Sequence, residues 1–472
     1  MIRHITCREV RQNLLSLRFA LFVLLTTALF IICGYAFGNE YREQSRYYWK
    51  KTNENLAALR AETEALYRVA FYHQQVYRQP QPLSLCAEGF EQSLPNFYQV
   101  NAFTAELPET RGQANFALPH FSHVDWVLII SLVLSFAALV LTYDSFCGEK
   151  QAGTLRLTLA NTIPRYQALL GKYLGAMFTL TLPLFIGMLV SLIIVIPSED
   201  IAFGGSDWLK ILTIALISLL YLSLFVLLGL FVSSRVTRPA NAMAILLLAW
   251  VVAIILVPSF CRIIFDITYA EPTEEELVTR LREVGDEIWD NSDRYGERAG
   301  YMSHNRDDPG NNPPARARLR NAIVEAQNQV REDHHNQWLG QALARRNFAR
   351  LSPAVVYQRA CEVIAGTGIG HCAYLYEQVK RYGADMREFI RSRDLEDPES
   401  LHLPNPEIGT ARSWRAISHD PVDFGIVPKF QEHAETWGRS LQQAIWDIGL
   451  LILFNLVFFA AAFVSFIRYD VR

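Results

Sequence analysis

The segment Glu149-Lys-Gln-Ala-Gly-Thr-Leu-Arg156 sets an acid, two bases, a glycine and a hydroxyl between two of the most apolar runs of the chain. Glu149 and Lys150 would begin a short helix, with Gln151 and Thr154 among its polar positions. Its leucines, Leu155, Leu157 and Leu159, can face a membrane or a partner. Gly153 permits close approach, Arg156 offers a charged contact, and Pro164 ends the element. These residue types suit docking rather than catalysis. The competing reading is an interfacial loop that touches nothing.

Other constellations point to little chemistry. No GxxxxGK[ST] phosphate loop occurs, and Gly171-Lys172 lacks the upstream glycine spacing, so the chain is not expected to hydrolyse ATP itself. HExxH and CxxC are absent. His120-Phe-Ser-His123-Val-Asp125 has a spacing that could gather a metal, but it reads better as the polar lead-in to an apolar run. His334 and His335 would point in different directions on a helix, and His371 beside Cys372 is an isolated pair. No metal and no catalytic residues are therefore expected. Of seven cysteines, Cys361 and Cys372 flank Gly366-Thr367-Gly368 between two apparent helices. They could close a hairpin disulfide or pack as free thiols, and Cys86 has no obvious mate.

The elements that must position the Glu149–Arg156 segment are apolar blocks. The chain has 472 residues, is 51% hydrophobic and carries a net charge of −3, which gives no global attraction to nucleic acid. Six blocks reach the roughly 18–25 residues that a bilayer crossing requires. They are Leu17–Gly38, Trp126–Tyr143, Ala168–Ile196, Trp208–Val232, Ala240–Phe265 and Leu441–Ile467. The first is preceded by Arg3, Arg8 and Arg11 but lacks a following cleavage signal, so an uncleaved span is expected. Arg3, Arg8, Arg11, Arg18, Lys150, Arg156, Arg165, Lys172, Arg235, Arg238, Arg468 and Arg472 all fall in short segments on one side. The positive-inside rule makes that side cytoplasmic, with both termini there, in a multi-pass protein of the cell inner membrane. Apart from residues near their ends, such as Asp144, Arg262 and Asp447, the spans carry no evident ionisable group of the kind that proton- or ion-coupled carriers use. Asn241 and Asn455 are explained by helix–helix hydrogen bonds.

Residues 1–16 then form an amphipathic helix on the cytoplasmic side, and 144–167 the loop that carries Glu149–Arg156. Asn39–Asp125 is an extracytoplasmic loop opening with a long helix, about Glu40–Arg78, followed by proline-rich irregular chain. Asp266–Ser440 is long enough for a small helical domain packed with that loop. Its helices are expected after the capping box Thr273–Glu276, over Ala315–Ala349, from Ser352-Pro353 to Gly366, and over Ile369–Arg393. The fold class is thus an all-α membrane protein with six spans and a mostly helical extracytoplasmic domain.

With Leu-Ala-Asn-Thr-Ile-Pro164-Arg165 and Leu-Leu-Gly171-Lys172-Tyr-Leu-Gly175 following it, Glu149–Arg156 resembles the cytoplasmic loop between spans two and three of type-2 ABC transporter permeases. The order of spans, the amphipathic N-terminal helix and the enlarged loop before span six fit the same family. The resemblance implies that Glu149–Arg156 is the coupling helix, docked on a separate ATP-binding subunit. Two copies of that subunit would bind ATP and Mg, and a second permease, identical or a close paralogue, would complete the path. Leu351-Ser-Pro-Ala-Val-Val-Tyr-Gln-Arg-Ala-Cys-Glu-Val-Ile-Ala-Gly-Thr367 is similar to a subgroup with a large extracytoplasmic domain between spans five and six. The expected function is ATP-driven export or extraction of a lipid, peptide or similar amphiphile. The alternative is a non-transporting subunit that relays motion to an extracytoplasmic lipoprotein or envelope enzyme. A membrane enzyme is the third and least supported class.

Overall fold

A computed structural model describes residues 2–90, 97–106, 124–154, 164–197, 201, 203–269, 273–296 and 312–468. It contains six helices long and apolar enough to cross a membrane. They are α2 (Leu17–Glu62), α4 (Trp126–Gln151), α5 (Arg165–Val195), α6 (Gly205–Arg235), α7 (Pro239–Thr268) and α13 (Trp437–Ile467). Helix α1 (Ile2–Leu14) precedes them, and a short α3 (Leu66–Phe71) follows α2. Between α7 and α13 lie α8 (Glu274–Asp290), α9 (Pro313–Phe348), α10 (Pro353–Ala365), α11 (Ile369–Asp394) and α12 (Ile408–Trp414).

The first span does not stop where its apolar run ends. From Gly38 to Glu62 the sequence turns polar but holds no proline, so the i to i−4 ladder continues and α2 runs unbroken for 46 residues. The expected separate helix over Glu40–Arg78 is corrected accordingly. Its C-terminal part is not helical: Gln74–Tyr77 forms strand β1, antiparallel to β2 (Phe97–Val100), which pairs in turn with β3 (Ala105–Glu106). Val76, Tyr98 and Val100 from this small sheet pack with Leu59, Leu66 and Val69 of the first loop. Leu375, Val379, Tyr382 and Met386 of α11 complete the same core. The two long loops therefore share one hydrophobic centre, as expected from burial of their apolar stripes.

The second core lies within the bundle and includes residues from outside it. Helix α10 sits against α6 and α13, burying Val356, Tyr357, Ala360 and Cys361. Tyr357 stacks on Tyr221 at 4.3 Å between ring centroids, and its hydroxyl lies 2.8 Å from Ser218 Oγ. The Ser352 hydroxyl donates to the Ala253 carbonyl at 2.6 Å. Asp447, fully buried on α13, accepts from Arg350 Nε at 2.8 Å and lies 3.2 Å from Arg359 Nε. Asn455 Nδ2 donates to the Leu220 carbonyl at 3.0 Å, a bond between spans four and six.

The disulfide alternative for Cys361 and Cys372 is not realised, since both are buried free thiols. Cys361 packs into the bundle core, whereas Cys372 lies in the electrostatic reach of Arg78 and Tyr98. The two helices carry their sulfurs to different neighbourhoods, and the desolvated apolar packing that results pushes both thiol pKa values up.

Candidate functional site

Glu149, Lys150 and Gln151 lie on the last helical turn after the second span, Cys147–Gln151. This turn is pinned from below by Ser233 at the end of α6. The Ser233 hydroxyl accepts from the backbone N–H of Phe146 at 3.0 Å and of Cys147 at 3.2 Å. These are early helical N–H groups without an intrahelical partner, so a neighbouring helix caps the turn in place of a local side chain. Lys150 reaches the same neighbour, donating to the carbonyls of Ser234 and, at 3.3 Å, Val236. Ser234 Oγ in turn lies 2.6 Å from Ser465 Oγ on α13.

Glu149 turns inward. Its Oε1 is 2.9 Å from Lys172 Nζ at the start of α5. The same ammonium is 2.7 Å from Glu9 Oε1 on α1 and lies over the Phe146 ring at 5.5 Å. Lys172 is only 7% exposed, so its charge is sustained by two carboxylates and a ring face rather than by water. Helix α1 approaches α5 closely enough for this contact because Gly171 and Gly175 face it. A Cβ at Gly171 would meet Ile5 at 2.7 Å, and one at Gly175 would meet Glu9 at 2.6 Å. Thr6 Oγ1 donates to the Gly171 carbonyl at 3.2 Å, and Arg18 pairs with Asp144 at 3.1 Å. One ammonium thus joins three elements: the N-terminal helix, the turn after span two and the head of span three.

Past this anchor the chain faces outward. Gln151, Ala152, Gly153 and Thr154 are all exposed. Gly153 has φ +71°, a left-handed conformation that breaks the helix and favours glycine. Thr154 Oγ1 donates back to the Glu149 carbonyl at 3.4 Å. Leu155 and Arg156 lie outside the described residues. The expected docking residues therefore divide into two kinds. Glu149 and Lys150 hold the turn to the bundle, and Gln151–Thr154 are exposed. Glu9 and Ser233 were not singled out by sequence, and Lys172 reads there as a basic flank and part of the motif opening span three, not as a junction. A lysine just inside an apolar run was the available signal, because such a charge needs a partner.

The remaining polar candidates have structural roles. His120 and His123 lie outside the described residues. Asp125 caps span two, accepting from the N–H of Leu128 at 2.7 Å and of Glu88 at 3.0 Å. His335 is buried against Tyr376 at 4.0 Å, and desolvation lowers its pKa to about 4. His371 Nε2 is 3.6 Å from Glu432, and its pKa too falls to about 4, through burial. Among the described residues no three His, Cys, Asp or Glu side chains converge on a metal position.

Comparison with known proteins gives this geometry a family. The "Probable ABC transporter permease protein NosY" of Stutzerimonas stutzeri is 35% identical over 81 residues, 17% of this chain and 29% of that protein. The protein of the same name from Pseudomonas aeruginosa is 36% identical over 76 residues, 16% of this chain and 28% of its own length. The similar stretch thus spans less than a third of either relative. The family model described as "ABC-2 family transporter protein" matches residues 4–471, and the chain belongs to that ABC permease family.

Proposed function

We propose that the chain is a permease subunit that takes up motion from a separate ATP-binding subunit at the segment Glu149–Arg156, whose residues Gln151–Thr154 are exposed. In this reading the termini and the Glu149 turn are cytoplasmic in the inner membrane, and the domain built from 39–125 and 266–440 is extracytoplasmic. Two ATP-binding subunits carry ATP and Mg, and a second permease, identical or paralogous, faces this one. The observation that carries the proposal is the Lys172 junction. A push on the turn cannot be absorbed locally, because Glu149 is tied to Lys172 and Lys172 to Glu9. The turn, α1 and the head of span three would move together, which is what a coupling element requires. The work done is export or extraction of an amphiphile such as a lipid or peptide. The test replaces Glu149–Arg156 with a Gly/Ser linker of equal length and purifies the complex with its ATP-binding subunit. Lost assembly, or ATPase activity without transport, is expected. Intact assembly and transport would overturn the assignment.

A second reading is supported by α10. Its burial between α6 and α13, with Tyr357 stacked on Tyr221, gives span movement a direct route into the domain. The chain would then relay motion to an extracytoplasmic lipoprotein or envelope enzyme. Co-purification of such a partner, with no transport by the reconstituted complex, distinguishes this reading from export.

A further inference from the structure

A cavity of about 520 Å³ opens beside α2 just past the apolar part of span one, on the domain end of the bundle. Its volume falls within the roughly 300–1,000 Å³ of small-molecule sites. One wall is a single face of α2, carrying Phe37, Tyr41, Tyr47 and Tyr48. The other is the segment from Tyr77 to Glu88, and Asp125 lies at the edge. Phe37 and Tyr41 lie 5.6 Å apart by ring centroid, and Tyr47 and Tyr77 6.0 Å. The charges are one-sided: Glu40, Glu43, Glu88 and Asp125 line the cavity against the single basic residue Arg78.

One of these carboxylates decides the sign. Glu43 makes no ion pair among the described residues and is exposed on the rim. Asp125 accepts backbone N–H groups from Glu88 and Leu128, and burial raises its pKa to about 6, so it adds less negative charge than its position suggests. Arg78 is itself buried and lies in the field of Glu432. Aromatic rings beside an exposed, unpaired carboxylate attract a weakly hydrated cation, and an ammonium group meets both requirements. Ile32, one helical turn before the lining residue Ala36, is 56% exposed on the membrane-crossing part of α2.

We infer that this cavity binds the ammonium headgroup of an amphiphile, with its apolar tail lying along α2 beside Ile32. The site needs no contribution from the Glu149–Arg156 segment and stands whether or not that segment docks an ATP-binding subunit. The ammonium chemistry is shared by a membrane phospholipid and by a free choline-like molecule, and the test separates the two.

The full chain is reconstituted in nanodiscs of mixed phosphatidylcholine and phosphatidylglycerol, and retained lipid is read by native mass spectrometry. A parallel titration uses choline chloride on the detergent-solubilised chain. Phosphatidylcholine is expected to be retained over phosphatidylglycerol. Glu43→Gln and Tyr47→Ala should each weaken retention roughly three- to tenfold, as loss of a carboxylate or of a cation–π face implies. Tyr47→Phe keeps the ring and should keep binding. Choline binding that responds to the same two variants, without lipid preference, identifies a free ammonium compound as the occupant. Equal retention of both lipids with no choline binding, or indifference to Glu43→Gln, overturns the inference. The exposed position of Glu43 makes that variant decisive even if Tyr47→Ala fails to fold.

Discussion

Two buried charge junctions, one at each end of the bundle, are near mirror images in composition. At the terminal end a lysine, Lys172, is held by the carboxylates of Glu9 and Glu149. At the domain end an aspartate, Asp447, is held by the guanidinium groups of Arg350 and Arg359. The central group of each is almost wholly removed from solvent, at 7% and 1% exposure. They differ in what they join. The Lys172 junction ties pieces of the bundle's own end to one another. The Asp447 junction ties the bundle to residues flanking and within α10, a helix of the other domain. The first makes a single stiff end, whereas the second holds a seam between two bodies, and only a seam can be expected to slide.

The comparison breaks first at Lys172. Lys172→Met leaves Glu9 and Glu149 facing each other without a cation, a change that costs about 3–5 kcal/mol when a buried pair loses one member. Sharply reduced thermal stability of the purified protein is expected. Replacing all three together, with Glu9→Gln and Glu149→Gln added, should restore most of it, because no uncompensated charge remains. If the triple variant is as unstable as the single one, the junction acts by shape and not by charge.

Asp447→Ala should cost less, about 1.5–3 kcal/mol, because Arg350 is 30% exposed and can find water once its acceptor is gone. The loss should be local: hydrogen exchange should accelerate in α10 while α1 and the head of α5 stay protected. Uniform acceleration along the chain would remove the distinction between a stiff end and a seam. Tyr357→Phe removes only the hydroxyl that meets Ser218, so about 1 kcal/mol is expected, again confined to α10.

The last effect appears only in acid. His335, inside the domain, is kept neutral by desolvation, with its pKa lowered to about 4, whereas the unfolded chain takes a proton near 6.5. Between those values the unfolded state binds more protons. The stability that neutral His335 contributes is therefore present above about pH 6.5 and is lost as pH falls toward 4. Midpoints of denaturation for the wild type and His335→Gln should diverge in that window and run parallel above it.

Much of the architecture was legible because membrane spans are written locally, as runs of apolar residues. The helices over Pro313–Phe348 and Pro353–Ala365 were similarly readable from their period and their caps. What sequence could not supply was pairing at a distance. Lys172 meets Glu9 across 163 positions, so nothing near it announces a partner. The β1 strand is four residues long and carries two glutamines, too short for its alternation to outweigh the helical pattern before it. Helix α10 reads as an ordinary amphipathic helix of a soluble domain. That its apolar face lies on α6 and α13 follows from tertiary packing, which its own period does not specify. For the Glu149–Arg156 segment, the pattern located it but did not separate Glu149 and Lys150, which are tied to the bundle, from Gln151–Thr154, which face outward.

The unbroken course of α2 has a mechanical meaning. At 1.5 Å per residue its 46 residues make a rod roughly 69 Å long. Its N-terminal end begins two residues after α1, and its far end contributes Leu59 to the core of the domain. With no proline or glycine hinge beyond Gly38, a tilt of about 10° about one end would carry the other end through roughly 12 Å. The helix would act as a lever arm, turning a rotation small enough for the bundle to tolerate into a stroke as wide as a helix.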